Sequence, residues 1–203
     1  LDAKLRVEMR REIKKLHQKL KTTVVYVTHD QTEAMSLGTN IAIMNHGVIQ
    51  QYDTPENIYN KPNNTFVADF IGSPSMNLIS GQLVKNGNNT LFIPEGSNQS
   101  NNISIKNYNF IKPLDESSKD VNFGIRPEHI NYKKTNDTDF EVNLRADLKE
   151  YIGHEQIITF NYCSQEILGK FPSTVKIETG KEMKLFFDLS QISIFDKKTN
   201  KRI

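Results

Sequence analysis

Apolar residues recur at Leu5, Met9, Ile13, Leu16 and Leu20 with charged residues between them, which is the stripe of an amphipathic helix. The pattern predicts a helix over residues 3–20 packed on a sheet. The β-branched, apolar run Thr23–Val27 follows. Its position between two helical patterns predicts a buried strand of a parallel sheet. That run stops at Thr28-His29-Asp30, and Gln31–Leu37 reads as a short helix with Gly38 as its stop. Ile41–Asn45 and Val48–Tyr52 read as two strands turned by His46-Gly47. Thr54-Pro55-Glu56 combines a cap, a first-turn proline and an acid near the helix dipole's positive end. It opens a helix over 55–60, and a second helix follows over 64–70 with Phe66, Val67, Phe70 and Ile71 as its apolar face.

After Gly72-Ser73-Pro74-Ser75 the texture changes. Short alternating runs dominate at 78–84, 90–93, 103–108, 121–125, 140–151, 156–162, 182–189 and 192–195. Turn-rich stretches such as Asn86-Gly87-Asn88-Asn89 and Glu95-Gly96-Ser97-Asn98 separate them. Many short strands with Gly/Asn turns imply a β-barrel or sandwich. Two domains are therefore expected, 1–72 and 76–203.

Composition narrows the function classes. A hydrophobic fraction of 36% and a mean hydropathy of −0.56 suit a rather polar chain, and no apolar run reaches the roughly 20 residues that span a bilayer. A single cysteine, Cys163, makes no internal disulfide, in keeping with a reducing compartment. Net charge is +2, but residues 1–21 hold eight Lys/Arg against three Asp/Glu, and the rest of the chain is slightly acidic. A basic helix is ordinarily a solvated face, and the strand-rich region lacks the positive excess that nucleic-acid binding uses.

His29 is the leading candidate for chemistry. It sits where the strand pattern ends, and in parallel sheets ligands collect at the carboxyl ends of strands. Its imidazole can donate a hydrogen bond to a phosphate oxygen. Alone, a histidine in such a place is ordinarily a loop residue. His46 reads as a turn residue.

The neighbouring segments change that balance. Leu1-Asp2-Ala3 resembles the D-loop that follows a Walker B strand, and Thr28-His29-Asp30 resembles a switch-histidine loop. With Ala42–Gln50 and Thr54–Tyr59 behind them in order, they resemble the last third of an ABC-transporter nucleotide-binding domain. Further on, Gly124-Ile125-Arg126-Pro127-Glu128-His129-Ile130 resembles the Arg-Pro-Glu signature of the TOBE regulatory domain. Tyr151-Ile152-Gly153-His154-Glu155 resembles that family's Leu-Gly-x-Glu segment, and Phe195-Asp196 with Arg202-Ile203 its usual end. The whole chain thus resembles the ATPase subunits of maltose-type and glycerol-phosphate-type importers. The implied fold is an α/β remnant of a P-loop NTPase domain followed by an all-β, OB-like TOBE barrel.

The resemblance implies roles as well. His29 would hydrogen-bond the γ-phosphate of ATP, Asp2 would organise a loop touching the opposite subunit, and Asp30 would cap the helix behind His29. Arg126, Pro127 and Glu128, with Gly124, mark the regulatory-domain motif. They read either as ligand contacts or, preferably, as a bend and its supports. No Gly-x-x-x-x-Gly-Lys-Ser/Thr or Ser-Gly-Gly-type loop occurs in the 203 residues, and the chain begins without Met, inside a motif. The expectation is a C-terminal fragment, inactive alone, of a protein that uses ATP and Mg2+, with neither bound tightly by the fragment and no metal site of its own. The intact protein would form a homodimer or heterodimer of ATPase subunits on transmembrane permease subunits. It would sit at the cytoplasmic face of the membrane without inserting in it, bind no nucleic acid, and energise uptake of a carbohydrate or glycerol phosphate. The rival is a non-enzymatic OB-like module that binds a ligand or protein.

Overall fold

The computed structural model describes residues 3–86, 89–97, 101–106, 108–111, 114 and 118–203. The chain divides into two compact units, Leu1–Lys61 and Pro62–Ile203.

In the first unit, helix α1 (Ala3–Leu20) forms where the periodicity places it. Its apolar stripe, however, is not packed on a sheet. Leu5, Met9, Leu16 and Leu20 are 42–56% exposed. The run 23–27 departs further, because it is no strand. Its backbone has no described strand partner, and Val25 and Val27 are 88% and 91% exposed. The physical reason is the same for both. A period reports that a face is apolar, but a buried parallel strand exists only between sheet neighbours. Within this unit the one described sheet is the hairpin of β1 (Ile41–Asn45) and β2 (Val48–Asp53), whose strands pair with each other.

Local signals are obeyed elsewhere in this unit. Helix α2 (Gln31–Leu37) ends as the Gly38 N–H donates to the Ala34 carbonyl. His46 and Gly47 take φ of +46° and +77°, the left-handed pair that a two-residue hairpin turn requires. Helix α3 (Pro55–Asn60) starts with the Thr54 hydroxyl accepting from Asn57 N at 3.3 Å, and it buries Ile58 completely. Buried Gln51 donates from Nε2 to the Lys61 carbonyl at 3.1 Å, tying the hairpin to the end of α3.

The second unit opens with helix α4 (Thr65–Phe70), capped by Asn64. The segment 200–203 runs beside its start: Asn200 O accepts from Thr65 N and Asn63 O accepts from Arg202 N, each at 2.9 Å. By these contacts α4 belongs with the barrel, although its sequence pattern continues that of residues 1–61. After Ile71, Gly72 (φ +118°) and a cis Ser73–Pro74 bond lead into the strands.

Two five-stranded antiparallel sheets follow. One has the order β12-β6-β3-β4-β5 and the other β10-β9-β8-β11-β7. Their strands are β3 (Asn77–Asn86), β4 (Asn89–Pro94), β5 (Ile103–Ile105), β6 (Ser118–Ile125), β7 (Ile130–Asn131), β8 (Phe140–Ile152), β9 (Glu155–Tyr162), β10 (Gln165–Pro172), β11 (Glu182–Phe187) and β12 (Ser193–Asp196). Strand β8 serves two partners, giving residues 140–145 to β11 and, past an irregularity at 146–148, the remainder to β9. Inward residues of both sheets, among them Ile79, Phe92, Phe123, Phe160, Leu185 and Phe187, form one core. That is the expected all-β barrel-like domain.

Where β3 meets β10 there is no ladder, and side-chain amides stand in for it. Asn77 accepts from Leu168 N and donates to Leu168 O, both at 2.8 Å. Gln165 reciprocates, accepting from Ser80 N at 2.7 Å and donating to Ser80 O at 3.1 Å. Each amide copies a peptide group and pairs with the opposite strand as a third strand would. A second tie is Tyr108, whose hydroxyl accepts from Ile194 N at 3.0 Å and donates to Ile203 O at 3.1 Å.

Candidate functional site

The loop bearing His29 faces a groove of about 320 Å³ lined by α1 and the 26–33 segment, including Arg6, Arg10, Tyr26, His29, Asp30 and Glu33. His29 sits in a bend with its side chain exposed, and the imidazole has no hydrogen-bond partner among the described residues. A ring in this state can give a hydrogen bond to an incoming oxygen without first breaking one.

What surrounds it is bonded. Asp30 Oδ1 accepts from Thr32 N at 2.8 Å and from Glu33 N at 3.1 Å, so Asp30 is the N-cap of α2. Those backbone N–H groups, with the nearby charges of Arg10 and Arg6, hold its carboxyl below the usual carboxylate range. The Arg6 guanidinium lies 3.8 Å from Asp30 Oδ2, a partly exposed pair of small energetic weight. On the other side of His29, the Thr28 hydroxyl donates to Glu33 Oε2 at 2.8 Å and accepts from Asp30 N at 2.9 Å. The Tyr26 hydroxyl also donates to Glu33 Oε2, at 3.2 Å, and this bond raises the phenol's pKa. Sequence reasoning singled out His29 and Asp30 but missed Thr28, Glu33 and the two arginines. The signal for the first two lay in their spacing, a hydroxyl just before the bend and a carboxylate in the first turn after it. Asp2 lies outside the described residues.

The second motif is built into the barrel. Gly124 lies where β3, β6 and β12 meet, and a Cβ there would stand 2.6 Å from Met76 Sδ and 2.9 Å from the Phe195 ring. Pro127 is buried in the first turn of the 3-10 helix Pro127–His129. Arg126, 1% exposed, donates from Nη1 to the Ile71 carbonyl at 2.7 Å. It thereby fastens the residue before Gly72, and a Cβ on Gly72 would fall 2.8 Å from that nitrogen. Arg126 therefore faces backbone and not an open cavity. Glu128 is half-buried, and burial lowers the pKa of its neighbour His129. Among the described residues, no three His, Cys, Asp or Glu side chains gather as metal ligands, and no helix is long and apolar enough to cross a membrane.

Residues 72–130 match the family model of the MalK OB fold domain. Over its full length the chain is 39% identical to the oligosaccharides import ATP-binding protein MsmX of Bacillus subtilis, covering 55% of that protein. The chain is homologous to the ATP-binding proteins of ABC sugar importers. It is also 39% identical, again over its full length, to the trehalose/maltose import ATP-binding protein MalK of Thermococcus litoralis, of which it covers 54%. The ABC transporter ATP-binding protein YurJ of B. subtilis is 37% identical, with 55% covered. The chain thus spans about half the length of these ABC relatives. The matched stretch falls within the second unit and begins at Gly72, one residue after the Ile71 carbonyl that Arg126 holds.

Proposed function

We propose that this chain is the C-terminal part of an ABC importer's ATP-binding subunit, energising uptake of a carbohydrate or glycerol-phosphate type solute. Residues 1–72 are read as the trailing part of the nucleotide-binding domain and 76–203 as the TOBE regulatory domain. What supports this is the homology to MsmX and MalK along the whole of this chain, together with an exposed His29 imidazole that has no hydrogen-bond partner among the described residues.

In the intact protein, ATP and Mg2+ are the cofactors. The described residues suit one part of that assembly: the His29 ring, at the rim of a groove that also carries Arg6 and Arg10, can donate to a terminal phosphate oxygen. A donor placed where charge develops lowers the barrier because it needs no reorganisation during the step. Asp30 keeps the bend beneath His29 in shape, and Asp2 contributes to the contact with a second ATPase subunit. Magnesium ligands are not expected from the described residues, and phosphoryl transfer draws on motifs other than these. The subunit pairs as a homodimer or heterodimer, binds permease subunits and works at the cytoplasmic membrane face without inserting. Gly124, Arg126, Pro127 and Glu128 serve the barrel's architecture, which holds whatever regulatory surface the domain presents.

The test is ATP hydrolysis by the full-length protein. His29→Ala is expected to lower kcat about 10²–10³-fold, the range seen on removing one preorganised donor, with nucleotide binding little changed. A variant that turns over ATP like the wild type would overturn the reading.

A further inference from the structure

We propose that Glu33 is a positioning residue for His29, acting through the hydroxyl of Thr28. The proposal rests on the reading of His29 as a phosphate-facing donor and extends it to side chains that touch no phosphate.

His29 is the middle residue of a bend whose two neighbours are both tied to residue 33. Ahead of it, the Thr28 hydroxyl donates to Glu33 Oε2 at 2.8 Å. Behind it, Asp30 accepts from Glu33 N at 3.1 Å. The same Thr28 hydroxyl accepts from Asp30 N at 2.9 Å, closing a ring of bonds around the histidine. A carboxylate only accepts, so the single O–H of Thr28 is committed to Glu33, and the lone pairs of the Thr28 hydroxyl are left to accept from the Asp30 N–H. The donation from Tyr26 OH to Oε2 at 3.2 Å steadies the carboxylate from a second direction. The imidazole has no bond of its own among the described residues, so its aim is inherited from the backbone that this ring holds. A donor misplaced by a fraction of an ångström loses much of its effect on a transition state.

The experiment uses the full-length ATP-binding protein, with Thr28→Val, Thr28→Ser and Glu33→Ala made in wild-type and His29→Ala backgrounds. Thr28→Val and Glu33→Ala are expected to lower kcat about tenfold with KM for ATP within about twofold, as for loss of an interaction realised in the transition state. Thr28→Ser should retain the rate. With His29→Ala already present, Thr28→Val should change the rate less than about twofold, because no ring is left to aim. Amide exchange at Asp30 should quicken about tenfold in Thr28→Val, reporting the lost bond apart from catalysis. Equal rate losses with and without His29, an unchanged kcat, or unchanged exchange at Asp30 would each overturn the proposal. If His29→Ala itself leaves turnover intact, the functional reading falls and takes this proposal with it. If His29→Ala abolishes turnover while Thr28→Val does not slow it, the proposal alone falls.

Discussion

Replacing Asn77 by alanine should loosen the barrel at one identifiable place. The side chain is 8% exposed and makes two bonds of 2.8 Å to the same residue, Leu168. Each bond is worth about 1 kcal/mol net, and stranding the Leu168 N–H and carbonyl in a half-buried seam adds more, so the loss should be about 2–4 kcal/mol. With a urea slope of about 2 kcal/mol/M, the midpoint should fall by roughly 1–2 M with the slope unchanged. Because the chain has two units, hydrogen exchange of barrel amides is the better monitor, and the Leu168 amide should lose protection first. Asn77→Asp provides the control. A carboxylate still accepts from Leu168 N but presents lone pairs to Leu168 O, so its folded-state pKa lies above the unfolded value. The variant should therefore be impaired at pH 7 and regain stability as pH falls and the protonated acid donates. A loss below about 1 kcal/mol for Asn77→Ala, or a Leu168 amide that stays protected, would refute the amide-for-strand account of the seam.

Two further outcomes follow from neighbouring geometry. Asp196 Oδ2 lies 2.8 Å from Lys119 Nζ while Oδ1 accepts from Thr199 N at 2.6 Å, and the lysine above all pulls its pKa from 3.8 to about 2. A depressed carboxylate stabilises the fold above pH ~4 and loses that contribution as pH falls toward 2, so Asp196→Asn should flatten the acid limb of urea midpoints over that window; an unchanged limb counts against the pair. Gly72→Ala meets both a φ of +118° and the Arg126 Nη1 contact, and should cost about 2 kcal/mol or more by urea unfolding, whereas a loss under about 1 kcal/mol would show that the link has room to shift.

Local chemistry was legible in the sequence, and partners were not. Thr54-Pro55 and His46-Gly47 each name a cap or turn that the backbone adopts, because the deciding contacts lie within a few residues. Strand β10 escaped notice because its inward positions read Ile167, Gly169, Phe171, and the glycine hides the alternation. The structure explains that residue: the Phe171 ring fills the space a Cβ would take, at 2.6 Å. The stripe of α1 and the run 23–27 were read as buried because an apolar period cannot say whether a covering surface is present. At the site, the motif brought out His29 and Asp30. The Thr28–Glu33 bond depends on how tightly the chain bends at 29, which residue types alone do not set. Likewise Arg-Pro-Glu is recognisable as a motif, yet the carbonyl that Arg126 grips lies 55 residues upstream.

The stretch Thr23–Thr28, which has no strand partner among the described residues, has a consequence for handling this polypeptide. Six consecutive uncharged residues, rich in valine and free of proline, have N–H and C=O groups with no strand partner among the described residues, beside Val25 and Val27 side chains that stand almost wholly in water. Such a segment is a template for stacking copies edge to edge into fibrils. Concentrated solutions of the 203-residue chain should therefore grow thioflavin-positive aggregates seeded from residues 23–28, and Val25→Lys should suppress them while leaving the barrel's unfolding midpoint where it was.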